Sequence, residues 1–190
     1  MQKVSVGITM TLAVAMLAGC GETAPEADNT GAVDYQSTSV TLSRVNDEGT
    51  GEMVGSVHFE DTPNGLLIRP ELEGLPQGIS GFHVHQNPDC GPAENDAGDT
   101  VPGLAAGGHY DPEGTGAHLG PYDDNGHLGD MPALYFDADE RATLPVLAPR
   151  LTVADLQGRA LVLHAGGDNY SDDPAPLGGG GARFACGIVE

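Results

Sequence analysis

From about residue 35 onward, apolar and polar residues alternate in short runs separated by turn residues, and this alternation constrains the fold most strongly. Successive side chains of a β-strand point to opposite faces, so a period of two predicts strands that bury one face. Gly, Pro, Asn and Asp fill the gaps, as in 46–49 and 63–65, and favour tight turns. The predicted strands are 36–44, 52–60, 65–72, 80–86, 132–137, 141–148, 160–165 and 183–189. Short strands with such turns predict an all-β fold, either an antiparallel sandwich or a flattened barrel.

Two long stretches, 87–131 and 166–182, break this pattern and are rich in Gly, Pro and Asp. Loops of this length within a compact domain are usually functional or disordered. Because most of the histidines lie in or beside these two loops, we expect the chemistry of the protein there. A shorter segment, 152–158, is predicted to form one helical turn, with Thr152 as its cap and Asp155 three residues further on.

Residues 1–19 are predicted to be a signal peptide. They contain one early positive charge and an apolar run shorter than the roughly 20 residues that a transmembrane helix needs. The run leads into Leu-Ala-Gly-Cys (17–20), which is similar to the lipobox of bacterial lipoproteins, in which the cysteine is lipidated. We therefore expect a lipid on Cys20, a polar and acidic tether at 20–34, and one domain at 35–190. An ordinary cleavable signal with a chance cysteine is the alternative.

Cys90 and Cys186 are the two cysteines that remain once Cys20 is set aside. In an oxidising compartment such a pair predicts one disulfide, and two free buried thiols are the alternative. A disulfide would agree with export, because a signal peptide directs the chain out of the reducing cytosol.

The formal net charge of the chain is -21. A charge of this sign rules out a general affinity for nucleic acids or anionic lipid surfaces, and its usual meaning is solubility. It raises a difficulty for an enzyme with an anionic substrate, because only six arginines and Lys3 are available to form a positive field.

Six of the seven histidines lie in or beside the two long loops, namely His83, His85, His109, His118, His127 and His164. His83 and His85 end a predicted strand, and because residues i and i+2 share one face, both imidazoles can reach one metal. His164 ends another predicted strand and could supply a further ligand to this pair. The seventh, His58, matches no ligand pattern and is interpreted as an ordinary strand histidine.

Three of the histidines, His109, His118 and His127, recur at nine-residue intervals with glycines close by, and Asp130 follows three residues after the last. Glycine lets a backbone fold tightly, and three imidazoles with one carboxylate can form a tetrahedral zinc site. Imidazole donors suit copper as well as zinc. The acidic stretches 123–126 and 168–169 superficially suggest a calcium loop. They lack the ligand spacing and closing Glu of an EF-hand, so solvated acidic turns are the preferred interpretation.

Six motifs between residues 81 and 190 resemble those of bacterial copper/zinc superoxide dismutases. They are GFHVH (81–85), GGHYDP (107–112), GAHLGP (116–121), GHLGDMPAL (126–134), LVLHAGGDNYSD (161–172) and GGGGARFACGIVE (178–190). The resemblance implies an eight-stranded antiparallel Greek-key β-barrel with two long functional loops. It also implies dismutation of superoxide to oxygen and hydrogen peroxide by alternate reduction and reoxidation of copper, with one copper and one zinc ion per subunit.

The same resemblance implies a role for each matching residue. The implied copper ligands are His83, His85, His109 and His164, and the implied zinc ligands are His109, His118, His127 and Asp130, with His109 as the bridging imidazolate. Asp168 matches the carboxylate that links a copper ligand to a zinc ligand, and Arg183 matches the arginine that docks superoxide. Cys90 and Cys186 match the intrasubunit disulfide of the family.

The expected setting is the bacterial periplasm, where the enzyme would protect the cell envelope and be held at a membrane, the outer membrane being favoured. Both monomers and homodimers occur among bacterial relatives, and the two remain alternatives here. A metal-binding protein without turnover would be expected to lack His109 or Arg183, and a lipoprotein adhesion module would leave the histidine pattern unexplained. Given the acidic chain, we expect weak electrostatic steering, with Arg183 supplying most of it.

Overall fold

The computed structural model of the protein describes residues 35–190, which contain twelve β-strands, one α-helix and two 3₁₀ helices. The strands are β1 (Ser37–Asn46), β2 (Gly49–Thr62), β3 (Gly65–Glu73), β4 (Gly78–Ser80), β5 (Phe82–His85), β6 (Ala93–Glu94), β7 (Thr100–Val101), β8 (Leu134–Phe136), β9 (Arg141–Ala142), β10 (Val146–Ala148), β11 (Arg159–His164) and β12 (Arg183–Val189). The α-helix is α1 (Val153–Leu156), and the 3₁₀ helices are Leu104–Ala106 and Leu177–Gly179. The predicted signal peptide, Cys20 and the tether lie outside the described residues. Within residues 35–190, no helix has the length and apolar character needed to cross a membrane.

Eight strands form one antiparallel sheet in the order β10-β3-β2-β1-β12-β11-β5, with β9 paired to β3 beside this path. β1, β2 and β3 are joined by tight hairpins, in which Asn46 pairs with Gly49 and Thr62 pairs with Gly65. The C-terminal strand β12 returns to lie beside β1, and this is the strand order of a Greek key.

Two short strands connect the ends of this sheet. Only Gly81 separates β4 from β5, so the segment that forms the edge strand β5 also pairs with β8, with Gly78 opposite Phe136. A turn joins β8 to β9, which pairs with β3 near the other end of the sheet, with Leu72 opposite Ala142. These connections curl the sheet into a barrel, and the predicted all-β antiparallel fold is confirmed.

The hydrophobic core lies inside this curled sheet. Along β3, buried and more accessible residues alternate, which confirms the period of two that predicted the strand. In β5, by contrast, every residue is buried because loop residues cover its outer side. The largest fully buried side chains are Phe59, Phe82, Phe136, Leu42, Leu66, Ile68, Leu72, Met131, Leu134, Leu151, Leu156 and Leu161. Burial of such side chains stabilises the fold by about 1.5–3 kcal/mol each relative to leaving them exposed.

Two predicted strands are interrupted in the structure. The predicted strand 80–86 is divided at Gly81, whose N–H donates to the carbonyl of Gly166 and whose carbonyl accepts from the N–H of His164. The prediction for 141–148 is wrong over 143–145, because Pro145 has no N–H to donate to a neighbouring strand.

The loops hold more regular structure than the sequence indicates. Within the predicted loop 87–131, β6 and β7 pair as a short hairpin, with Ala93 opposite Val101. The predicted helical turn is confirmed as α1. The carboxylate of Asp155 accepts hydrogen bonds from the backbone N–H and the hydroxyl of Thr152, at 2.8 and 2.7 Å.

Candidate metal centre

Two neighbouring strands carry three of the predicted copper ligands. β5 contains His83 and His85, which are two residues apart and both buried. β11 pairs antiparallel with β5 and ends at His164, which is also buried. Nε2 of His85 and Nε2 of His164 lie 3.4 Å apart, although the residues are 79 positions apart in the chain.

The outer edge of β5 is paired with two segments of the long loop. The N–H of Val84 donates to the carbonyl of Gly129 at 3.0 Å, and the carbonyl of Val84 accepts from the N–H of Tyr110 at 2.8 Å. The neighbouring residues His109 and Asp130 are thereby held beside the strand histidines, with which they form isolated β-bridges.

Gly129 is required at this junction. A Cβ atom there would lie 2.4 Å from the carbonyl oxygen of Val84 and 2.8 Å from the backbone nitrogen of Tyr110. Only glycine allows the backbone of the loop to approach the strand so closely.

Hydrogen bonds to one ring nitrogen orient each of the three strand histidines. Nδ1 of His85 donates to the carbonyl of Gly107 at 2.9 Å, and Nδ1 of His164 lies 3.4 Å from the carbonyl of Gly181. Nε2 of His83 donates to Asp168 at 2.7 Å. The opposite nitrogen of each ring is left for the cluster, where one ligand atom from each of His83, His85, His109 and His164 lies within 4.8 Å of the others.

A second group converges on one oxygen of Asp130. Nδ1 of His109 and Nδ1 of His118 each lie 2.9 Å from Oδ1 of Asp130, and Nδ1 of His127 lies 3.3 Å from it. The second oxygen accepts hydrogen bonds from the backbone N–H groups of Leu119 and Gly120, at 3.2 and 3.3 Å. The four residues predicted to bind zinc are therefore brought together.

Three buried nitrogens have no hydrogen-bond partner in the described part of the chain: Nδ1 of His83, Nε2 of His109 and Nδ1 of His118. Nδ1 of His118 is close to Asp130 but is not aligned for a hydrogen bond. Buried polar atoms nearly always have a partner, so unpartnered imidazole nitrogens that face one another indicate metal ligands. The donor sets fit the two metals, since imidazole suits copper and three imidazoles with a carboxylate suit zinc.

Asp168 connects the two groups, as predicted from the resemblance. One carboxylate oxygen lies 2.7 Å from Nε2 of His83 and the other lies 2.8 Å from Nε2 of His118. Its immediate neighbour is Gly178, which has a φ of +69° and where a Cβ atom would lie 2.0 Å from Oδ1 of Asp168.

The electrostatics of the cluster favour neutral imidazoles on the copper side. Burial lowers the pKa of His85 well below its ordinary value, that of His164 to about 3 and that of His109 to about 4. A histidine must be neutral to bind a metal, so the lowered pKa values keep these three residues in the form that binds at neutral pH. Burial would raise the pKa values of Asp130 and Asp168, but the histidines bonded to them outweigh this and hold both below the usual range.

Arg183 lies at the start of β12, and two loop carbonyls hold its guanidinium. It donates to the carbonyl of Gly103 and, at 2.6 Å, to that of Gly107. The Cys90–Cys186 disulfide, predicted above, is present and joins this loop to β12, with the Cα atoms 5.7 Å apart.

Two residues that contact the cluster were not predicted. Asp172 accepts a hydrogen bond from the backbone N–H of His118 at 2.9 Å, and Arg150 donates to the carbonyl of His127 at 2.7 Å. Asp172 belongs to a quoted motif but carries no implied role, and no sequence pattern distinguishes Arg150. His58 lies apart from the cluster on β2, where its ring is 3.0 Å from the hydroxyl of Ser39, in agreement with its interpretation as a strand histidine.

Comparison with known proteins agrees with this geometry. Residues 53–189 match the family model described as copper/zinc superoxide dismutase. Superoxide dismutase [Cu-Zn] 1 of Salmonella typhimurium is 56% identical over 153 residues, which cover 80% of this chain and 86% of the relative. Superoxide dismutase [Cu-Zn] of Brucella abortus is 51% identical over 156 residues, which cover 82% of this chain and 89% of the relative.

Solved structures give the same result. The Cu/Zn superoxide dismutase from Brucella abortus has a TM-score of 0.79 and 51% identity, with 82% of this chain and 100% of that chain covered. The monomeric copper, zinc superoxide dismutase from Salmonella enterica has a TM-score of 0.72 and 47% identity, with the same coverage. The chain therefore belongs to the copper/zinc superoxide dismutase family.

Proposed function

We propose that this protein converts superoxide to oxygen and hydrogen peroxide at a copper site held by the four histidines of the first group, with zinc held by the second group. The observation that carries this proposal is the position of His109, the one residue that belongs to both groups among the described residues. Its Nδ1 faces Asp130, and its Nε2 is buried without a hydrogen-bond partner beside His83, whose ring centroid is 4.0 Å away.

When bound, copper supplies the one-electron chemistry that dismutation requires, and zinc supplies a positive charge that favours the deprotonated form of the shared imidazole. Dismutation of two superoxide anions consumes two protons. Nε2 of His109 is the atom at which this chain can hold one of them and release it to the reduced substrate, because the nitrogen is buried and no hydrogen bond to the protein competes for the proton.

Arg183 is proposed to bind the substrate anion. Its guanidinium bonds to two loop carbonyls. Among the ion pairs of residues 35–190, none joins Arg183 to a carboxylate, so its positive charge is not neutralised by a partner. Arg183 is half-buried, so its charge is partly withdrawn from solvent, and this burial lowers its pKa. A charge in such a place acts on a nearby anion more strongly than a charge in water does.

The acidic character of the chain works against attraction of superoxide from a distance. Arg69 is paired with Glu60 at 2.8 Å, and Arg44 and Arg159 lie over the rings of Phe184 and Tyr110. The chain has only six arginines to set against 28 acidic residues, so little net cationic charge is left to steer the substrate, and we expect Arg183 to supply most of the local field.

The decisive experiment compares the wild-type protein with His109→Ala and, as a matched control, His58→Ala. Copper and zinc content are measured by elemental analysis, and superoxide removal is measured by pulse radiolysis. We expect two metal ions per chain and full activity in the wild type and the control. His109→Ala should lose the activity. Full activity without His109, or one metal ion per wild-type chain at saturation, would overturn the proposal.

We also propose that the protein is lipidated on Cys20, lies in the periplasm, with the outer membrane favoured, and protects the cell envelope. Support comes from the lipobox-like sequence 17–20 and from the Cys90–Cys186 disulfide, which requires an oxidising compartment. Metabolic labelling with a fatty acid tests the lipid. We expect label in the wild type and none in Cys20→Ala, and an unlabelled wild-type protein would contradict the lipid anchor.

A further inference from the structure

Arg150 belongs to none of the six sequence motifs, yet it makes several hydrogen bonds to the loop that carries His118 and His127. Its guanidinium donates to four backbone carbonyls, those of Gly120 (3.0 Å), Pro121 (3.1 Å), Gly126 (3.2 Å) and His127 (2.7 Å). Gly120 and Pro121 lie at the start of one loop segment, and Gly126 and His127 lie at its end. The guanidinium bonds to both ends and so lies between them.

The segment that Arg150 holds lies between the predicted zinc ligands His118 and His127. The backbone N–H of Gly120 donates to Asp130 at 3.3 Å, and the N–H of His127 donates to the carbonyl of Ala117 at 2.9 Å. Arg150 therefore completes a hydrogen-bond network in which two of the four proposed zinc ligands, His127 and Asp130, take part.

The barrel holds the base of this arginine firmly. Ala148 pairs with Leu66 in the ladder between β10 and β3, and Leu151 is buried in the core. Two residues after Leu151, the backbone N–H of Val153 donates to Asp61 at 2.7 Å. The barrel thus fixes the backbone on both sides of Arg150, and the guanidinium extends from it to the loop.

The chemistry of the contact requires arginine rather than any cation. A guanidinium is planar and offers five N–H donors in a fixed fork, whereas a lysine ammonium offers three donors on a flexible stem. Apart from Arg150, no described residue donates to the carbonyls of Gly120, Pro121 or Gly126. Loss of the guanidinium would leave these half-buried acceptors to water and would free the segment to move.

We propose that Arg150 is a positioning residue for the zinc site: it sets the backbone of the loop so that His118 and His127 reach the metal together. This inference rests on the zinc ligand set proposed above. The guanidinium of Arg150 bonds to backbone carbonyls and to none of the imidazole nitrogens, so its effect is on zinc affinity and coordination geometry and reaches turnover only through them.

The test measures zinc binding directly in four proteins: wild type, Arg150→Ala, Arg150→Lys and the control Arg44→Ala. Arg44 is also an arginine bound to a backbone carbonyl, that of Gly74 at 3.2 Å, but it lies outside the loop. The zinc dissociation constant is obtained by competition with a chromophoric chelator. Cobalt(II) bound in place of zinc reports the coordination geometry through its visible absorption bands.

We expect Arg150→Ala to weaken zinc binding by about tenfold or more, the range seen when residues that orient metal ligands are removed. Its cobalt spectrum should differ from that of the wild type. Arg150→Lys should behave like the alanine variant, because the charge alone does not rebuild the four bonds. Arg44→Ala should retain the wild-type affinity and spectrum.

Three outcomes would overturn the inference. Zinc affinity within twofold of the wild type in both Arg150 variants would show that the loop does not need the guanidinium. An equal loss in Arg44→Ala would show a general effect on stability. If the wild type itself bound no cobalt at this site, the proposed zinc ligand set would be wrong and the role of Arg150 with it. Should the alanine variant fail to fold, Arg150→Lys decides the question alone.

Discussion

Arg183 and His85 share one hydrogen-bond acceptor, the carbonyl oxygen of Gly107. Nη2 of Arg183 lies 2.6 Å from this oxygen and Nδ1 of His85 lies 2.9 Å from it. A single peptide unit therefore orients both a proposed copper ligand and the proposed anion-binding group. The Cys90–Cys186 disulfide joins the same loop to the strand that carries Arg183, so the relative position of the two groups is fixed by covalent and hydrogen-bonded links.

Replacement of Arg183 by Gln should lower the rate of superoxide removal roughly tenfold, because electrostatic guidance of an ion typically contributes a factor of ten or more. Arg183→Lys should keep part of the rate, since it retains the charge but not the fork that binds two carbonyls. The rate is measured as a function of ionic strength. We expect the wild-type rate to depend only weakly on ionic strength. The rate of Arg183→Gln should instead rise with ionic strength, because salt screens the repulsion between superoxide and a chain with a net charge of -21.

The control for this prediction is Arg69→Gln, which removes an exposed arginine paired with Glu60 on the barrel surface. It should leave the rate and its salt dependence unchanged. If Arg183→Gln also left both unchanged, Arg183 would not bind the anion.

Replacement of Asp168 by Asn should weaken the binding of both metals. The carboxylate contacts His83 of the copper group and His118 of the zinc group, and removal of such a partner typically costs about 10–100-fold in metal affinity. Affinities are measured by chelator competition for each metal separately. Asp173→Asn, an exposed neighbour in the same loop, is the control and should bind both metals as the wild type does. Loss of one metal alone would contradict a connecting role for Asp168.

Replacement of Gly129 by Ala should destabilise the protein by about 1–3 kcal/mol, the usual cost of forcing an extra carbon into a packed site. The new Cβ atom would lie 2.4 Å from the carbonyl oxygen of Val84, so the loop must separate from β5. Urea denaturation of the metal-free protein measures the change. Gly108→Ala is the matched control beside His109, where a Cβ atom meets nothing within 4 Å, and it should change the free energy of unfolding by less than about 0.5 kcal/mol.

Two buried histidines make the metal-free protein sensitive to acid. Burial lowers the pKa of His164 from 6.5 to about 3 and that of His109 from 6.5 to about 4. Below pH 6.5 the unfolded chain binds protons that the folded protein does not, so the free energy of unfolding falls as the pH drops from 6.5 toward 3.

His118 has the opposite effect at alkaline pH. Burial lowers its pKa, but the neighbouring carboxylates of Asp130 and Asp168 outweigh this and raise the pKa to about 9. Between pH 6.5 and 9 the folded protein holds a proton that the unfolded chain has lost, so stability falls as the pH rises. The metal-free protein should therefore be most stable near pH 6.5, as measured by urea denaturation across the pH range. His118→Asn should abolish the alkaline decline, and an unchanged decline would show that another group causes it.

The strands and the clustering of the candidate ligand residues were predictable from sequence because their signals are local. Alternation identified β3 and β12 with nearly the observed bounds, and the motifs around the histidines were complete. The division of the predicted strand 80–86 was not predictable, since it depends on the pairing of Gly81 with residues near 164 and 166. The same holds for Arg150, whose four partners lie 23 to 30 positions away in the chain.

The orientation of the imidazole rings also could not be predicted from the sequence. The motifs predict His83 and His85 as ligands, but only the contacts with Asp168 and Gly107 determine that Nδ1 of the first and Nε2 of the second face the cluster. Which nitrogen faces a metal is a property of the partner on the other side of the ring.

The last strand of the chain, β12, lies in the middle of the main sheet, between β1 and β11. The first strand of the domain therefore lacks its second neighbour until the final seven-residue strand has been synthesised. A nascent chain that lacks β12 cannot form the complete sheet, because β1 and β11 both pair with this strand. Folding of the main sheet is consequently tied to synthesis of β12. Cys186 lies in β12 as well, so the Cys90–Cys186 disulfide also forms only once this strand is present.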